Sequence, residues 1–174
     1  MYYLSECEYF LHRSKRYDLP ELSKQTECGT MPSIQLLSIN NNGGFQIANI
    51  LSVNQLSYID IRYFVAVRSP ICEHGRRVDD IFALNAAPNT TFIKLGGEPI
   101  RASQLKKGLA ILMCSPELQV IEGSAANVGY GVVESITELR DSNIYGVELE
   151  ADDIAYNIKN NFIIANAMAI QALN

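Results

Sequence analysis

The chain has 174 residues, of which 48% are hydrophobic and 19% are charged, a composition typical of one globular domain with a sizeable core and not of a disordered chain. The net charge is −5, and the basic clusters His12–Arg16 and Arg76–Arg77 are short. A nucleic-acid-binding surface needs clustered Lys and Arg. We therefore expect no nucleic-acid partner.

Short apolar segments separated by turn signals predict an all-β domain. Helix is expected only as one or two short turns, at Leu19–Lys24 and Ala102–Lys107. Asn40–Gly44 (NNNGG) predicts a hairpin, because Asn and Gly accept the positive φ that a tight turn requires. In chain order the predicted strands are Ile34–Ile39, Phe45–Val53, Tyr58–Val67, Ile81–Leu84, Thr91–Leu95, Gly108–Met113, Gly131–Ile136 and Asn143–Leu149. The last two are expected to pair with each other.

The four cysteines form no C-x-x-C pair, and only two histidines are present, so we expect no metal site. We also expect no cofactor and no small-molecule substrate. The start of the chain lacks the features of a signal peptide, and no apolar run is long enough to span a bilayer. These features favour free thiols packed as small core hydrophobes, no membrane contact, and a cytoplasmic or virion location.

The C-terminal part of the sequence carries the most specific pattern. In Ile144–Asn166 (IYGVELEADDIAYNIKNNFIIAN), a predicted strand is followed by a turn at Asp152–Asp153 and a second turn at Asn160–Asn161. An apolar run then closes the segment at Ala165–Asn166. This order of strand, turn, strand, turn and terminal asparagine is the feature on which the interpretation below chiefly depends.

Earlier segments add to this pattern in a consistent order. They are an opening run at Tyr3–Leu11 (YLSECEYFL), a Pro–Leu segment at Leu19–Leu22, a hairpin at Leu37–Gly43, and a further region at Ala83–Leu105 followed by Gly108. Together these segments resemble the Hint superfamily, the β-rich module shared by inteins, Hedgehog autoprocessing domains and bacterial intein-like domains.

The resemblance covers roughly residues 3–166 and implies a horseshoe of β-hairpins in which the two ends of the domain meet. Large inteins carry a homing endonuclease between their halves. The irregular segment Cys114–Tyr130 is far too short to hold one, so the resemblance implies a minimal module. We expect this domain at residues 1–166, and an apolar flanking tail at Ala167–Asn174 (AMAIQALN).

The resemblance also implies where splicing chemistry would lie, and Tyr3 takes its first position. Splicing needs Cys or Ser there, because the side chain accepts the upstream acyl group. The phenol oxygen of Tyr3 is far from the backbone carbonyl and cannot form the same small ring. The first step is therefore expected to fail.

Two further positions would transfer protons in the family. A Thr-x-x-His motif supplies a histidine that protonates the departing amide nitrogen, but Asn85–Asn89 (NAAPN) lies here, with Asn89 at the histidine position. An amide cannot deliver a proton near pH 7. A later region supplies an Asp and a His; Asp153 falls near the first of these, and the histidine is missing. We interpret His74 as a loop residue and Tyr156 as a core residue.

Asn166 matches the asparagine that, in an intein, attacks its own backbone carbonyl and releases the downstream flank as it forms a succinimide. Ala165 stands where many inteins have histidine, and Ala167 has no nucleophile for ligation. Cyclisation alone could still cut between Asn166 and Ala167, slowly without assistance. The alternative interpretation of Asn166 is a polar residue at the end of a strand.

Another register places Cys7 or Cys28 at the first position. A start at Cys28 removes the segment that fits the first strands, and neither choice restores the histidine. We therefore keep Tyr3, Asn89, Asp153 and Asn166 as the four candidate site positions, of which only Asn166 could still react.

Three functions follow as hypotheses. The leading one is a catalytically degenerate intein-like domain that serves as a structural or protein-binding module. The second is a self-cleaving domain that cuts once, after Asn166. The third is a β-rich virion or other assembly protein, in which the tail Ala167–Asn174 contacts a protein partner or a second copy.

Overall fold

The computed structural model describes residues 1–73, 76–114 and 122–166, with the backbone alone at residues 57–60, 71–73 and 141. Strands dominate these residues, which confirms the predicted all-β class. The strands are β1 (Tyr2–Ser5), β2 (Tyr9–His12), β3 (Lys15–Asp18), β4 (Gln35–Asn40), β5 (Phe45–Glu73), β6 (Arg76–Ala86), β7 (Thr91–Ile93), β8 (Pro99–Arg101), β9 (Ala110–Cys114), β10 (Val128–Leu149), β11 (Ile154–Lys159) and β12 (Phe162–Ala165). The helix α1 spans Leu19–Cys28, and a 3-10 turn spans Ala102–Gln104.

Eight strands form one antiparallel sheet in the order β1-β10-β9-β12-β11-β4-β5-β6, and β10 also pairs with β5. Because of that second pairing, the strands from β10 through β9, β12, β11 and β4 to β5 form a closed ring. Closure gives these strands neighbours on both sides and leaves β1 and β6 outside the ring. Strand β1 attaches to β10, and β12 lies between β9 and β11, so both ends of the domain are held on the same ring.

Strands β5 and β10 are longer than predicted. Phe45–Val53 and Tyr58–Val67 are not separate strands but parts of β5. The expected pairing of Gly131–Ile136 with Asn143–Leu149 is wrong, because both belong to β10 and both pair with β5. The β10–β5 ladder shifts register at several points, including between Leu139 and Ser142. Such bulges bend a strand without ending it, and their polar residues resemble strand ends in the sequence.

The turn between β4 and β5 is the predicted Asn–Gly hairpin. Gly43 has a φ of 80°, the left-handed conformation that favours glycine. The side-chain oxygen of Asn40 accepts hydrogen bonds from the backbone N–H groups of Asn42 and Gly44, both at 3.0 Å. The second predicted turn is also present, since Asn160 and Asn161 have φ values of 52° and 69° between β11 and β12.

Helix α1 extends beyond the predicted Lys24 to Cys28. Pro20 lies in its first turn, where a missing N–H costs no hydrogen bond, and Gly29 ends it in the left-handed conformation. The Thr26 hydroxyl donates to the carbonyl of Leu22 and accepts from the N–H of Val53, which docks the helix against β5. Neither this helix nor any other in the described residues is long and apolar enough to cross a membrane.

The main core lies inside the ring and under α1. Its largest fully buried side chains are Tyr2, Leu4, Leu19, Leu22, Ile34, Val53, Leu84, Phe92, Ile111, Met113, Phe162 and Ile164. A smaller cluster of Ile39, Phe45, Cys114 and Ile163 packs on the other face of the β4, β9 and β12 strands. The apolar run Phe162–Ala165 is buried on both faces for this reason.

Replacing Gly131 by alanine is expected to lower the free energy of unfolding by about 1–3 kcal/mol, the usual cost of overpacking a core. A Cβ at Gly131 would lie 2.4 Å from Cγ1 of the buried Val67 and 3.2 Å from the carbonyl of Arg68. Gly129 is the matched control, since its Cβ would meet only the carbonyl of Met113 at 4.0 Å. Urea unfolding of Gly131→Ala and Gly129→Ala measures the difference, and equal midpoints would contradict this packing.

Candidate functional site

Strand β1 brings Tyr3 against two elements from distant parts of the chain. Tyr3 lies opposite Gly146 of β10 in the antiparallel ladder, and its side chain is half-buried. The carbonyl of Tyr3 accepts a hydrogen bond of 2.7 Å from the hydroxyl of Thr90, in the loop between β6 and β7. The position predicted to start the reaction is thus bounded by a glycine on one side and a hydroxyl on the other.

The loop before β7 places Thr90, and not Asn89, at the Tyr3 backbone. Thr90 is fully buried, and its hydroxyl also accepts from the N–H of Ala87 at 2.9 Å. Asn89 is exposed, and its carbonyl accepts from the hydroxyl of Thr91. The sequence points to Asn89 in this loop, and the Thr-Thr context of Thr90 gives no signal. A threonine hydroxyl donates and accepts hydrogen bonds, but it is neither an acid nor a base near neutral pH.

The position opposite Tyr3 has no side chain, because it is Gly146. A Cβ there would lie 2.6 Å from the sulfur of Met1 and 3.0 Å from Cδ1 of Leu56. The apolar side chains of Met1 and Leu56 therefore fill the space beside Gly146. No acid or base can act from Gly146 on the Tyr3 backbone.

Asn166 lies beside the beginning of β1. The nitrogen of Met1 donates a 2.5 Å hydrogen bond to Oδ1 of Asn166, while Nδ2 of Asn166 donates to the carbonyl of Ile154 at 3.3 Å. The backbone N–H of Asn166 donates to the carbonyl of Ala155. The two ends of the domain therefore meet through Met1 and Asn166, and the amide of Asn166 is fixed by partners on both of its atoms.

Asp153 precedes Ile154, which contacts Asn166, but the contacts of Asp153 itself lie elsewhere. It is exposed, and its carboxylate accepts a 3.0 Å hydrogen bond from the side chain of Gln46. Its carbonyl accepts from the N–H of Asn41. Asp153 thus holds the turn between β10 and β11 onto the β4–β5 hairpin, whereas the hydrogen bonds of Asn166 go to Met1, Ile154 and Ala155.

A cavity of about 650 Å³ opens where Met1 and Asn166 meet. Tyr3, Asn89 and Asp153 are not among the residues that line it. Partial burial lowers the pKa of the Met1 α-amino group, and the nearby Glu148 carboxylate acts in the opposite direction. The lining residues are Met1, Asn41, Leu51, Glu148, Leu149, Glu150, Ala151, Asp152, Ile154 and Asn166.

The expectation that the thiols are buried is wrong for Cys7 and Cys28, which are exposed. It is confirmed for Cys114, where burial raises the pKa of the thiol to about 11, so that the thiol is neutral at physiological pH. Within the ranges the structure describes, no three His, Cys, Asp or Glu side chains are grouped to hold a metal ion. His74 and the tail Ala167–Asn174 lie outside the described residues.

A second polar cluster, which the sequence reasoning missed, surrounds Glu8. This residue is 4% exposed. Its Oε2 accepts from the backbone N–H of Asn85 at 2.8 Å and from the Asn85 side chain at 3.0 Å. Its Oε1 accepts from the side chain of Asn160 at 3.4 Å. One carboxylate thus ties the loop after β1 to β6 and to the β11–β12 turn.

Lys159 completes this cluster. Its ammonium lies 3.8 Å from Oε1 of Glu8, with a side chain only 12% exposed. The same nitrogen lies 5.2 Å from the ring centre of Tyr9 and 5.3 Å from that of Phe10, within cation–π range. Burial lowers the pKa of Lys159, and the Glu8 carboxylate partly offsets this.

Solved structures similar to this chain include inteins. The crystal structure of a DnaB intein from Synechocystis sp. PCC 6803 matches with a TM-score of 0.64 and 14% identity, covering 96% of this chain and 99% of that one. The DnaX mini intein from Spirulina platensis gives a TM-score of 0.59, 15% identity, and coverages of 94% and 99%. The transcription factor IIB Mvu mini-intein gives a TM-score of 0.63 and 11% identity, and the match covers 95% of this chain and 100% of that one.

No protein-family model matches the sequence, and a comparison with curated proteins gave no match. At these low identities the structural likeness establishes the fold. Each of these matches covers nearly the whole of both chains. The chain therefore has the intein-like Hint fold that its sequence pattern predicted.

Proposed function

We propose that this intein-like domain does not splice and serves as a structural or protein-binding module. The observation that carries the proposal is the surroundings of Tyr3: a phenol at the first position, Gly146 opposite it, and Thr90 on its carbonyl. None of these three groups can accept an acyl group through a small ring or move a proton near pH 7.

The histidines of the chain support the same proposal. Among the described residues His12 is the single histidine, and it lies at the end of β2, in a hairpin apart from β1, β10 and the loop before β7. A general acid must come within hydrogen-bond reach of the proton that it transfers. The elements around Tyr3 supply hydroxyl, amide and backbone groups instead.

Intact mass spectrometry of the purified chain tests the proposal. We expect a single species near 19.3 kDa, unchanged after days at 37 °C and on addition of thiols, which would cleave an aryl ester formed at Tyr3. Cleavage next to Tyr3, or a spliced product, would overturn the proposal. Tyr3→Phe is the matched control, because it keeps the ring and removes the phenol oxygen at the first position.

A second candidate is a single cut after Asn166, favoured by the contact of Asn166 with Met1. Cyclisation requires Nδ2 of Asn166 to turn onto its own carbonyl, and it must first leave the carbonyl of Ile154. The reaction would be slow for that reason. A product ending in succinimide or in Asn166, absent from Asn166→Ala, would establish it; an intact mass after long incubation would remove it.

The assembly role is a further part of the proposal, in which Ala167–Asn174 docks on a protein partner or on a second copy in a virion or another oligomer. It rests on the sequence of the tail, eight residues without a charge. Removing residues 167–174 should abolish assembly without changing the thermal unfolding of the domain. Assembly that survives this truncation would exclude the tail as the contact.

A further inference from the structure

The first half of strand β6 leaves one edge of the sheet open. Strand β6 is the last strand in the sheet order, and within the described strands its single partner is β5. Residues 76–81 of this strand are all exposed. An open edge presents unpaired N–H and C=O groups and is a template for pairing with another strand.

The charges along this open edge change sign about Val78. The strand begins Arg76-Arg77-Val78-Asp79-Asp80, two cations, one apolar residue and two anions. In an antiparallel pair, residues at equal distances from the centre lie opposite each other. If two copies of this segment pair about Val78, Arg77 of each faces Asp79 of the other, and Arg76 faces Asp80.

We propose that two copies of this chain associate through their β6 edges, antiparallel and across a two-fold axis at Val78. Such an interface uses the same residues from both copies and closes after two subunits. Charged residues on an edge strand normally prevent sheet-to-sheet association. Here the order of the charged residues disfavours pairing with most other strands and favours pairing with an identical strand.

The charges specify the register as well as the partner. Pairing about Val78 gives four contacts between opposite charges, because the Arg77–Asp79 and Arg76–Asp80 pairs each occur twice across the two-fold axis. A shift by one residue breaks all four and leaves only two contacts between opposite charges, either Arg77 with Asp80 or Arg76 with Asp79. A shift by two residues places Arg77 against its own copy, or Asp79 against its own copy, and in-register parallel pairing places every charge against a like charge. Like charges directly opposite each other are destabilising.

The ladder to β5 leaves suitable backbone groups at the open edge. Asp79 lies opposite Pro70, which has no N–H to donate. A regular antiparallel ladder therefore makes this a non-hydrogen-bonded pair, with the N–H and C=O of Asp79 directed to the open edge. By the same alternation Arg77 faces the open edge, so Arg77 and Asp79 of the two copies exchange backbone hydrogen bonds.

Next to the charged segment, Ile81 adds one apolar side chain that is 50% exposed. The interface is narrow and rich in exposed ion pairs, which salt screens. The expected dimer is weak and sensitive to ionic strength.

Sedimentation velocity of the full chain in about 50 mM and about 500 mM NaCl tests the proposal, since the Debye length shortens severalfold between them. We expect a dimer at low salt and at least a tenfold higher dissociation constant at high salt. Arg76→Asp/Arg77→Asp and Asp79→Arg/Asp80→Arg should each be monomeric. Mixed in equal amounts they should form a heterodimer, because the four contacts then join opposite charges again.

Two controls separate this interface from net charge and from misfolding. Lys106→Asp/Lys107→Asp makes the same charge change on an exposed surface away from β6 and should dimerise as the parent chain does. The fourfold exchange Arg76→Asp/Arg77→Asp/Asp79→Arg/Asp80→Arg restores self-complementarity and should dimerise. A monomeric parent chain at low salt, or a dimer that tolerates either single-sign variant, would overturn the proposal.

Discussion

Replacing Glu8 by alanine is expected to lower the free energy of unfolding by about 3–5 kcal/mol, the usual cost of removing one partner of a buried ion pair. The Glu8 side chain is 5% exposed and lies against the 12% exposed Lys159. Its loss leaves the ammonium of Lys159 without its counter-charge and the N–H of Asn85 without its acceptor. Chemical denaturation of the parent chain and of Glu8→Ala measures the effect.

Lys159→Met should cost less than Glu8→Ala. Methionine keeps the apolar part of the side chain against Tyr9 and Phe10, and Glu8 retains its hydrogen bonds from Asn85 and Asn160. The double variant Glu8→Gln/Lys159→Met should be more stable than the sum of its single changes predicts, as expected for two groups in direct contact. Additive effects would contradict a coupled pair.

Glu134→Ala is the matched control for this cycle. Glu134 also pairs with a cation, Arg68, at 3.2 Å, but both side chains are more than 40% exposed. Water already solvates both charges there, so removing one leaves no buried charge behind. Its unfolding midpoint should therefore move far less than that of Glu8→Ala.

The pH dependence of unfolding gives a second readout of the same cluster. Because burial lowers the pKa of Lys159 in the fold, the unfolded chain binds more protons between that lowered pKa and the ordinary value of about 10.4. The contribution of Lys159 to the unfolding free energy therefore rises with pH across this window. Lys159→Met should remove this rise, so parallel curves for the two proteins would contradict it.

The local features of the fold could be predicted from the sequence, because their causes are local. Positive φ at Gly43 and at Asn160–Asn161 follows from residue types that tolerate it. The apolar run Phe162–Ala165 indicates a strand buried on both faces. The length of β10 could not be predicted, because Ser142 continues the strand through a long-range pairing with Asp60 of β5.

The candidate site was predictable only in part, because its contacts join distant segments. Asn166 is a candidate because of its place at the end of a patterned segment. Gly146 gave no signal, since its significance depends on pairing with Tyr3 from the other end of the chain. Glu8 and Lys159 gave no signal either, because Glu8 follows Glu6 and Cys7 and Lys159 precedes the polar turn Asn160–Asn161, as surface charges often do.

Replacing Phe162 by alanine is expected to lower the free energy of unfolding by about 3–5 kcal/mol, as for other buried Phe residues. Phe162 is fully buried, and its ring centre lies 5.7 Å from that of Phe92 in a tilted arrangement. The large-to-small change removes both the buried area and this ring contact. Denaturant unfolding of the variant measures the loss.

The position of Phe162 makes this loss relevant to the ends of the domain. Strand β12 has only four residues, and its one backbone pairing with β9 is Phe162 opposite Met113. The strand leads directly to Asn166, which contacts Met1. We therefore expect faster amide hydrogen exchange at Ala165 and Asn166 in Phe162→Ala than global destabilisation alone explains.

Phe64→Ala is the matched control, because it makes the same truncation in β5 at a side chain that is 37% exposed. Water already reaches part of that ring, so less apolar surface is newly exposed and the remaining cavity is open to solvent. The loss should be less than half of that for Phe162→Ala, with no added exchange at Asn166. Equal losses would mean that the buried ring of Phe162 stabilises the fold no more than the exposed ring of Phe64. The contact between Met1 and Asn166 would then depend on other residues.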